Sequence, residues 1–321
     1  MRPVVPIVLI SLALLGTGIR AVAVTIEAPR EVIVDTDIGD DIDDVFALAL
    51  VLSSPEFRVD GITTSFGDTS LRAREVERLL RIAGRTTIPV AAGPGTPPGT
   101  AFTQAGWAKV EPEPRSPFPD AVGFMLDRLR ATPPGRITLI ALAPLTTVGA
   151  MIDRDPAAFR RLGRVVVMGG SIRRGYGVHA GENSSHPSIE YNIRSDPAGF
   201  AKLLGSGVPI EMMPLDATEV ALGEAGRKRL FAGKSPLNGA LSELYSQWAT
   251  HNSWGVTPTL FDVVPVARLL LPSICTPVPL RIAVSNAGAT TVVDGAPNVS
   301  ACLDVDRAAV LDLLQDRLRP K

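Results

Sequence analysis

Six aspartates fall within ten positions of the segment VDTDIGDDIDDVFAL, residues 34–48: Asp35, Asp37, Asp40, Asp41, Asp43 and Asp44. They follow an apolar run, EVIV, of strand character and precede an apolar helical pattern that starts near Ile42. Two carboxylates about 5 Å apart repel by roughly 3 kcal/mol at an effective dielectric of 20, whereas a helix N-terminus favours a nearby anion by only about 0.3–1 kcal/mol. Capping alone cannot hold such a cluster together. A shared divalent cation can, and an all-carboxylate donor set selects a hard ion, Ca2+ or Mg2+, over zinc, which prefers His and Cys. With three histidines in the whole chain, zinc is disfavoured. The competing reading makes Asp40, Asp41 and Asp43 solvated capping residues.

The spacing of Val45, Leu48, Ala49 and Leu52 predicts one buried helical stripe, with Asp41 and Asp44 on an adjoining stripe where they can converge with Asp37. A further acid stands in TPTLFDVVPVA: Asp262, between apolar residues at a predicted helix start. A buried carboxylate needs a partner, although a plain helix cap also fits this position.

The elements that must carry these residues alternate between apolar strands and helical patterns, from EVIVDTD through LRAREVERLLRIAG, TTIPVAAG, RITLIALAP and RVVVMGGS to PIEMMPLD. This rhythm predicts an α/β fold with a doubly wound, mostly parallel sheet, helices on both faces, a small C-terminal β appendage and a closing helix. In such sheets ligands gather beyond the C-terminal ends of the strands, where Asp35 and Asp37 fall. Residues 93–118 and 170–188 break the rhythm and read as binding loops or surface insertions. Residues 1–23 read as a secretory signal, with Arg2, an apolar stretch from Val4 to Leu15 and the small residues Ala21, Val22 and Ala23. That stretch is short for a transmembrane anchor, the other reading. A single domain over residues 24–321, secreted or periplasmic and with no further membrane segment, is the expectation. Losing Arg2 and Arg20 with the signal moves the formal net charge from −1 to −3. The basic residues are scattered, so nucleic acid is not an expected partner; association into a homo-oligomer is left open. Cys275 and Cys302 lie on consecutive predicted strands and are open to a disulfide or to two buried thiols.

The run DTDIGDDIDDVFAL resembles the N-terminal signature of the inosine/uridine-preferring nucleoside hydrolase family. The segments GITTSFGDT, IPVAAG, LAPLTTVGAM, VVVMGGS, SIEYNIRSDPAGF, LFDVVPVA and TTVVDGAPNVSACLDVD are similar to family segments in the same order, from about Glu31 to the end. The resemblance implies calcium-dependent hydrolysis of the N-glycosidic bond of a ribonucleoside, giving free base and ribose. It implies Asp37 as calcium ligand and as the base for the attacking water, Asp44 and the main-chain carbonyl of Leu142 as ligands, and Asp262 as ligand and ribose contact. Asp43, Glu190, Asn192, Asn183 and Asp68 would meet the sugar. The aspartate motif is two residues longer than the family's commoner form, so Asp40 or Asp41 could take over part of Asp43's task. Asp68 stands where the family usually has Asn, and Phe261 where it often has a His that assists the departing base; His251 and Trp254 are nearby substitutes. The alternatives are a non-catalytic calcium, ribose or nucleoside binder of the same fold, an N-glycosidase for another ribosyl compound, and a haloacid-dehalogenase-like phosphatase, whose DxDGT spacing is missing.

Overall fold

Strand β1 (Arg30–Thr36) is buried on both faces from Glu31 onward, so helices must cover it above and below. The computed structural model, which describes residues 28–97, 99–110 and 117–319, supplies them. The secretory signal read from residues 1–23 lies outside the described residues. β1 leads through α1 (Asp43–Leu52) to β2 (Phe57–Thr64), and α2 (Thr69–Ile82) leads on to β3 (Val90–Ala92). Helices α3 (Ala105–Ala108) and α4 (Ala121–Ala131) precede β4 (Thr138–Ala141), and α5 (Thr146–Arg154) with α6 (Pro156–Phe159) precedes β5 (Arg164–Met168). Next come α7 (Tyr191–Ser195), α8 (Pro197–Leu204) and β6 (Ile210–Met213), then α9 (Leu215–Thr218), α10 (Glu224–Phe231), α11 (Pro236–His251) and α12 (Val263–Leu270). The chain closes with β7 (Val278–Leu280), β8 (Ile282–Val284), β9 (Thr290–Val292), β10 (Val299–Ala301) and α13 (Arg307–Arg317).

The main sheet runs β3-β2-β1-β4-β5-β6-β10-β7, parallel except at the β7 edge. Strand order reverses between β1 and β4, which puts the switch point at the C-terminal end of β1 and therefore at the aspartates. Two apolar cores, one on each face, hold the layers: one around Ile42, Phe46, Leu48 and Val264, the other around Met125, Leu139, Phe159 and Phe200. The C-terminal β segment differs in detail from the sequence expectation. It has four short strands, of which only β8 and β9 stand apart as an antiparallel pair; β10 joins β6, and β7 joins β10. That pairing sets Val278 opposite Ala301 and brings Cys275 and Cys302 together as a disulfide, with Cα atoms 6.0 Å apart. Among the described residues no helix is long and apolar enough to cross a membrane.

Helix α1 departs from the one-stripe expectation. All ten of its residues are buried, because α11 and α12 pack on the side away from the sheet. Asp41 lies ahead of the helix, in the turn, and so does not share a stripe with Asp44; Asp43 and Asp44 form the first helical turn. Gly39 makes the turn possible. Its φ of +121° suits glycine, and a Cβ there would come within 2.2 Å of the Phe102 ring. Gly39→Ala is expected to cost about 1–3 kcal/mol, read as a lower urea midpoint in chelator; an unchanged midpoint would show that the turn yields freely.

Candidate active site

Beyond β1 and α1 opens a cavity of about 130 Å3, lined by Asp37, Asp40, Asp41, Asp43, Asp44 and Asp262. Leu142, Met168, Glu190, Asn192, Tyr176, Tyr191, Trp254, Phe261 and Thr100 complete the lining. No Lys, Arg or His is among these residues. Carboxylate oxygens of Asp43, Asp44 and Asp262 lie within 4.8 Å of one another, and all three residues are buried. Asp262 is only 3% exposed and caps no helix N–H with its side chain, which removes the helix-cap reading. The main-chain N–H of Asp262 instead donates to Asp43 Oδ2 at 3.1 Å, and the Thr36 hydroxyl donates to Asp44 Oδ1.

Burial raises Asp37, Asp41, Asp43, Asp44 and Asp262 above ordinary carboxylates. Desolvation is the main cause at each of these five, and mutual repulsion adds to it: Asp44 acts on Asp37, Asp41 on Asp43, and Asp43 on Asp262. Asp41 rises to about 7, and Asp44, partly relieved by the Thr36 hydroxyl, to about 6. The donor set is all oxygen, converging and charge-frustrated, so it fits a hard divalent cation and not zinc.

Several expected residues line the cavity, although the converging trio contains Asp43, expected at the sugar, and not Asp37, expected as a ligand. Asp37, 7% exposed, opens on the cavity. The Leu142 carbonyl is there too, accepting the Asn192 side-chain amide at 2.6 Å, and this bond fixes the amide so that its oxygen is free to accept from a ligand. Glu190 caps α7: its oxygens accept from the N–H groups of Asn192 at 2.7 Å, Ile193 at 3.0 Å and Gly170 at 2.9 Å. Two expected sugar contacts are elsewhere. Asp68 is the exposed N-cap of α2, accepting from Leu71 N–H, because helix start and side chain coincide there. Asn183 bonds the Leu215 carbonyl and accepts from Arg307 at 2.6 Å, which ties its loop to α13 and away from the cavity. His251 ends α11, exposed, its Nδ1 within 2.7 Å of the Gln247 carbonyl, whereas Trp254 does reach the lining.

Sequence reasoning missed Tyr176, Tyr191, Thr100 and Arg72. Tyr176 meets Phe261 edge to face at 6.0 Å, and its hydroxyl accepts from Tyr191 N–H at 3.0 Å. Burial raises both phenols above their ordinary value, Tyr191 to about 12, so both keep their protons. Tyr176 belongs to the loop at residues 170–188, read as a binding segment without a named residue. Arg72 lies under the aspartate turn. Its signal was present, since Arg72 and Glu75 sit on the same buried face of α2 as Val76, Leu79 and Leu80.

Comparison with known proteins agrees with this geometry. The family model described as inosine-uridine preferring nucleoside hydrolase matches residues 32–312. A pyrimidine-specific ribonucleoside hydrolase, RihA, of Citrobacter koseri is 32% identical over 314 residues, covering 89% of this chain and 97% of that protein. The RihA of Salmonella typhimurium is 31% identical over 315 residues, covering 90% and 98%. Among solved structures, the plant nucleoside hydrolase PpNRh1 superposes with a TM-score of 0.79 at 26% identity, over 91% of this chain and all of that one. A purine-preferring ribonucleoside hydrolase from Gardnerella vaginalis shares the fold, with a TM-score of 0.75 at 22% identity over 90% and 98%. A strand-end aspartate cluster on this sheet order, matched over nearly the whole chain, leaves the phosphatase reading without support: the chain belongs to the inosine-uridine preferring nucleoside hydrolase family, enzymes that hydrolyse the N-glycosidic bond of ribonucleosides.

Proposed function

We propose that this hydrolase is calcium-dependent, acts on neutral ribonucleosides and works in an oxidising compartment outside the cytoplasm. The carrying observation is the convergence of Asp43, Asp44 and Asp262 at a cavity also lined by aromatic side chains. Asp44 and Asp262 would hold the cation, with Asp37 and the Leu142 carbonyl completing its shell. A cation bound there would supply the positive charge that draws a proton from water and fixes a vicinal diol. Ca2+ suits the set better than Mg2+, which demands a small octahedral shell and keeps most of its waters.

The chain's own residues then do the rest. Asp37 accepts the proton of the water that attacks the anomeric carbon. Asp43 remains for the ribose diol, and Glu190 and Asn192 have acceptor capacity left for sugar hydroxyls. As the glycosidic bond breaks, the sugar gains positive charge, which the surrounding carboxylates stabilise. The same carboxylates repel a phosphate, so a nucleotide is a poor ligand for this cavity. Tyr176, Phe261 and Trp254 offer the departing base an apolar, stacking wall, and with Phe261 in place of a histidine the leaving group is assisted by hydrogen bonding from the phenols. The disulfide and the signal-like N-terminus support an exported enzyme.

The test is release of reducing sugar from uridine, cytidine, inosine and adenosine by the mature protein, with calcium and with chelator. The pyrimidine nucleosides are included because the RihA relatives are named for them. Release with calcium and its loss with chelator are expected. No release from any of the four by folded, calcium-loaded protein would end this reading.

A further inference from the structure

We infer that Arg72 is a positioning residue: its buried guanidinium fastens the two-residue-longer aspartate turn from beneath and sets Asp37 in line before any cation or nucleoside binds. The inference rests on the hydrolase reading only for its activity measurement. Arg72 is 2% exposed and reaches the turn from α2, more than thirty residues further along the chain. One nitrogen, Nη1, donates to the main-chain carbonyls of Asp37 and Ile38, the latter at 2.8 Å. Nη2 pairs with Asp40 Oδ2 at 2.9 Å, and Nε donates to the Phe66 carbonyl at 2.8 Å. The guanidinium also lies over the Phe102 ring, 5.3 Å from its centroid.

Each contact restrains a different piece of the site. Among the described residues Phe66 is the non-glycine residue with positive φ, +63°, followed by Gly67 at +67°, so the corner between β2 and α2 is held in a left-handed conformation that the Nε bond secures. The Phe66 ring meets Tyr191, a cavity residue, edge to face at 6.3 Å. Asp40, one of the acids of the longer motif, is committed to Arg72 and to the Thr100 hydroxyl, which also comes within 3.3 Å of the Tyr191 hydroxyl. Asp40 is therefore the counter-ion of the clamp. The longer turn brings its own buried cation, and that single positive charge offsets only one of six aspartates, leaving room for a dication.

Only a planar fork spans four acceptors in these directions; an ammonium group keeps the charge and loses most of the bonds. The test uses the full mature chain with Arg72→Lys, Arg72→Met and Asp40→Asn. Calcium affinity is measured by calorimetry, kcat and KM on the best nucleoside at saturating calcium, and melting temperature in chelator. Arg72→Met should lose about 10–100-fold in calcium affinity and a comparable factor in kcat, with KM changed less, as for other supports of metal ligands. Arg72→Lys should recover part of both, and Asp40→Asn, which keeps an acceptor, should fall between Arg72→Lys and the parent. If Arg72→Met does not fold, Arg72→Lys decides. Calcium affinity and kcat within about twofold of the parent in Arg72→Lys, and in Arg72→Met where it folds, would overturn the inference. A parent that binds calcium but releases no ribose would instead sink the hydrolase reading, and the calcium titrations would still judge the clamp.

Discussion

Asp37→Asn is expected to lower kcat by about 10³-fold or more while leaving the fold intact, because a general base of this kind contributes roughly 10²–10⁴ and a ligand charge is lost with it. Asparagine has nearly the same volume and cannot accept the proton of the attacking water. The same substitution should make the chelator-treated protein more stable near pH 8. Asp37 is buried beside Asp44, whose charge is the second cause of its raised pKa after burial, so removing one of the two relieves repulsion in the metal-free state. Rates are read on nucleoside at saturating calcium, and melting temperatures in chelator. Turnover near the parent level would assign the base elsewhere.

Removing calcium should destabilise the protein strongly at pH 8 and little at pH 5. Burial raises Asp35 and Asp41 from the ordinary 3.8 to about 7, and Asp44 to about 6. A carboxyl whose folded pKa is raised contributes stability that is fully present below about pH 4 and is lost as pH climbs through the folded value, because the unfolded chain releases its protons first. Metal-free protein should therefore lose melting temperature from pH 5 to pH 8. In the proposed site calcium would bind the folded, deprotonated Asp37, Asp44 and Asp262, so its stabilising effect should grow over the same interval. Acids lowered by arginine partners, Glu56 beside Arg317 and Asp120 beside Arg154, act in the opposite direction, but below their ordinary values and outside this window. A difference between calcium and chelator of about 5 °C or more at pH 8, shrinking toward pH 5, is the expected pattern. Equal calcium shifts at the two pH values would show that the cavity carboxylates do not bind the ion.

The sequence by itself determined the strand and helix alternation, the aspartates at the end of β1, and Asp262 as an acid with no evident partner. Those are local signals: a strand period, a helical period, and charge placed where apolar neighbours make it costly. Tertiary structure alone decided which acids meet, because Asp43 and Asp44 are more than two hundred residues from Asp262 and converge only once α12 packs on α1. It also turned Asp68 into a helix cap and gave Asn183 to Arg307, since each side chain's partner depends on where its loop docks. The positive charge under the turn came from Arg72, hidden in the apolar stripe of α2, where its contacts with the carbonyls of Asp37 and Ile38 have no counterpart in local sequence.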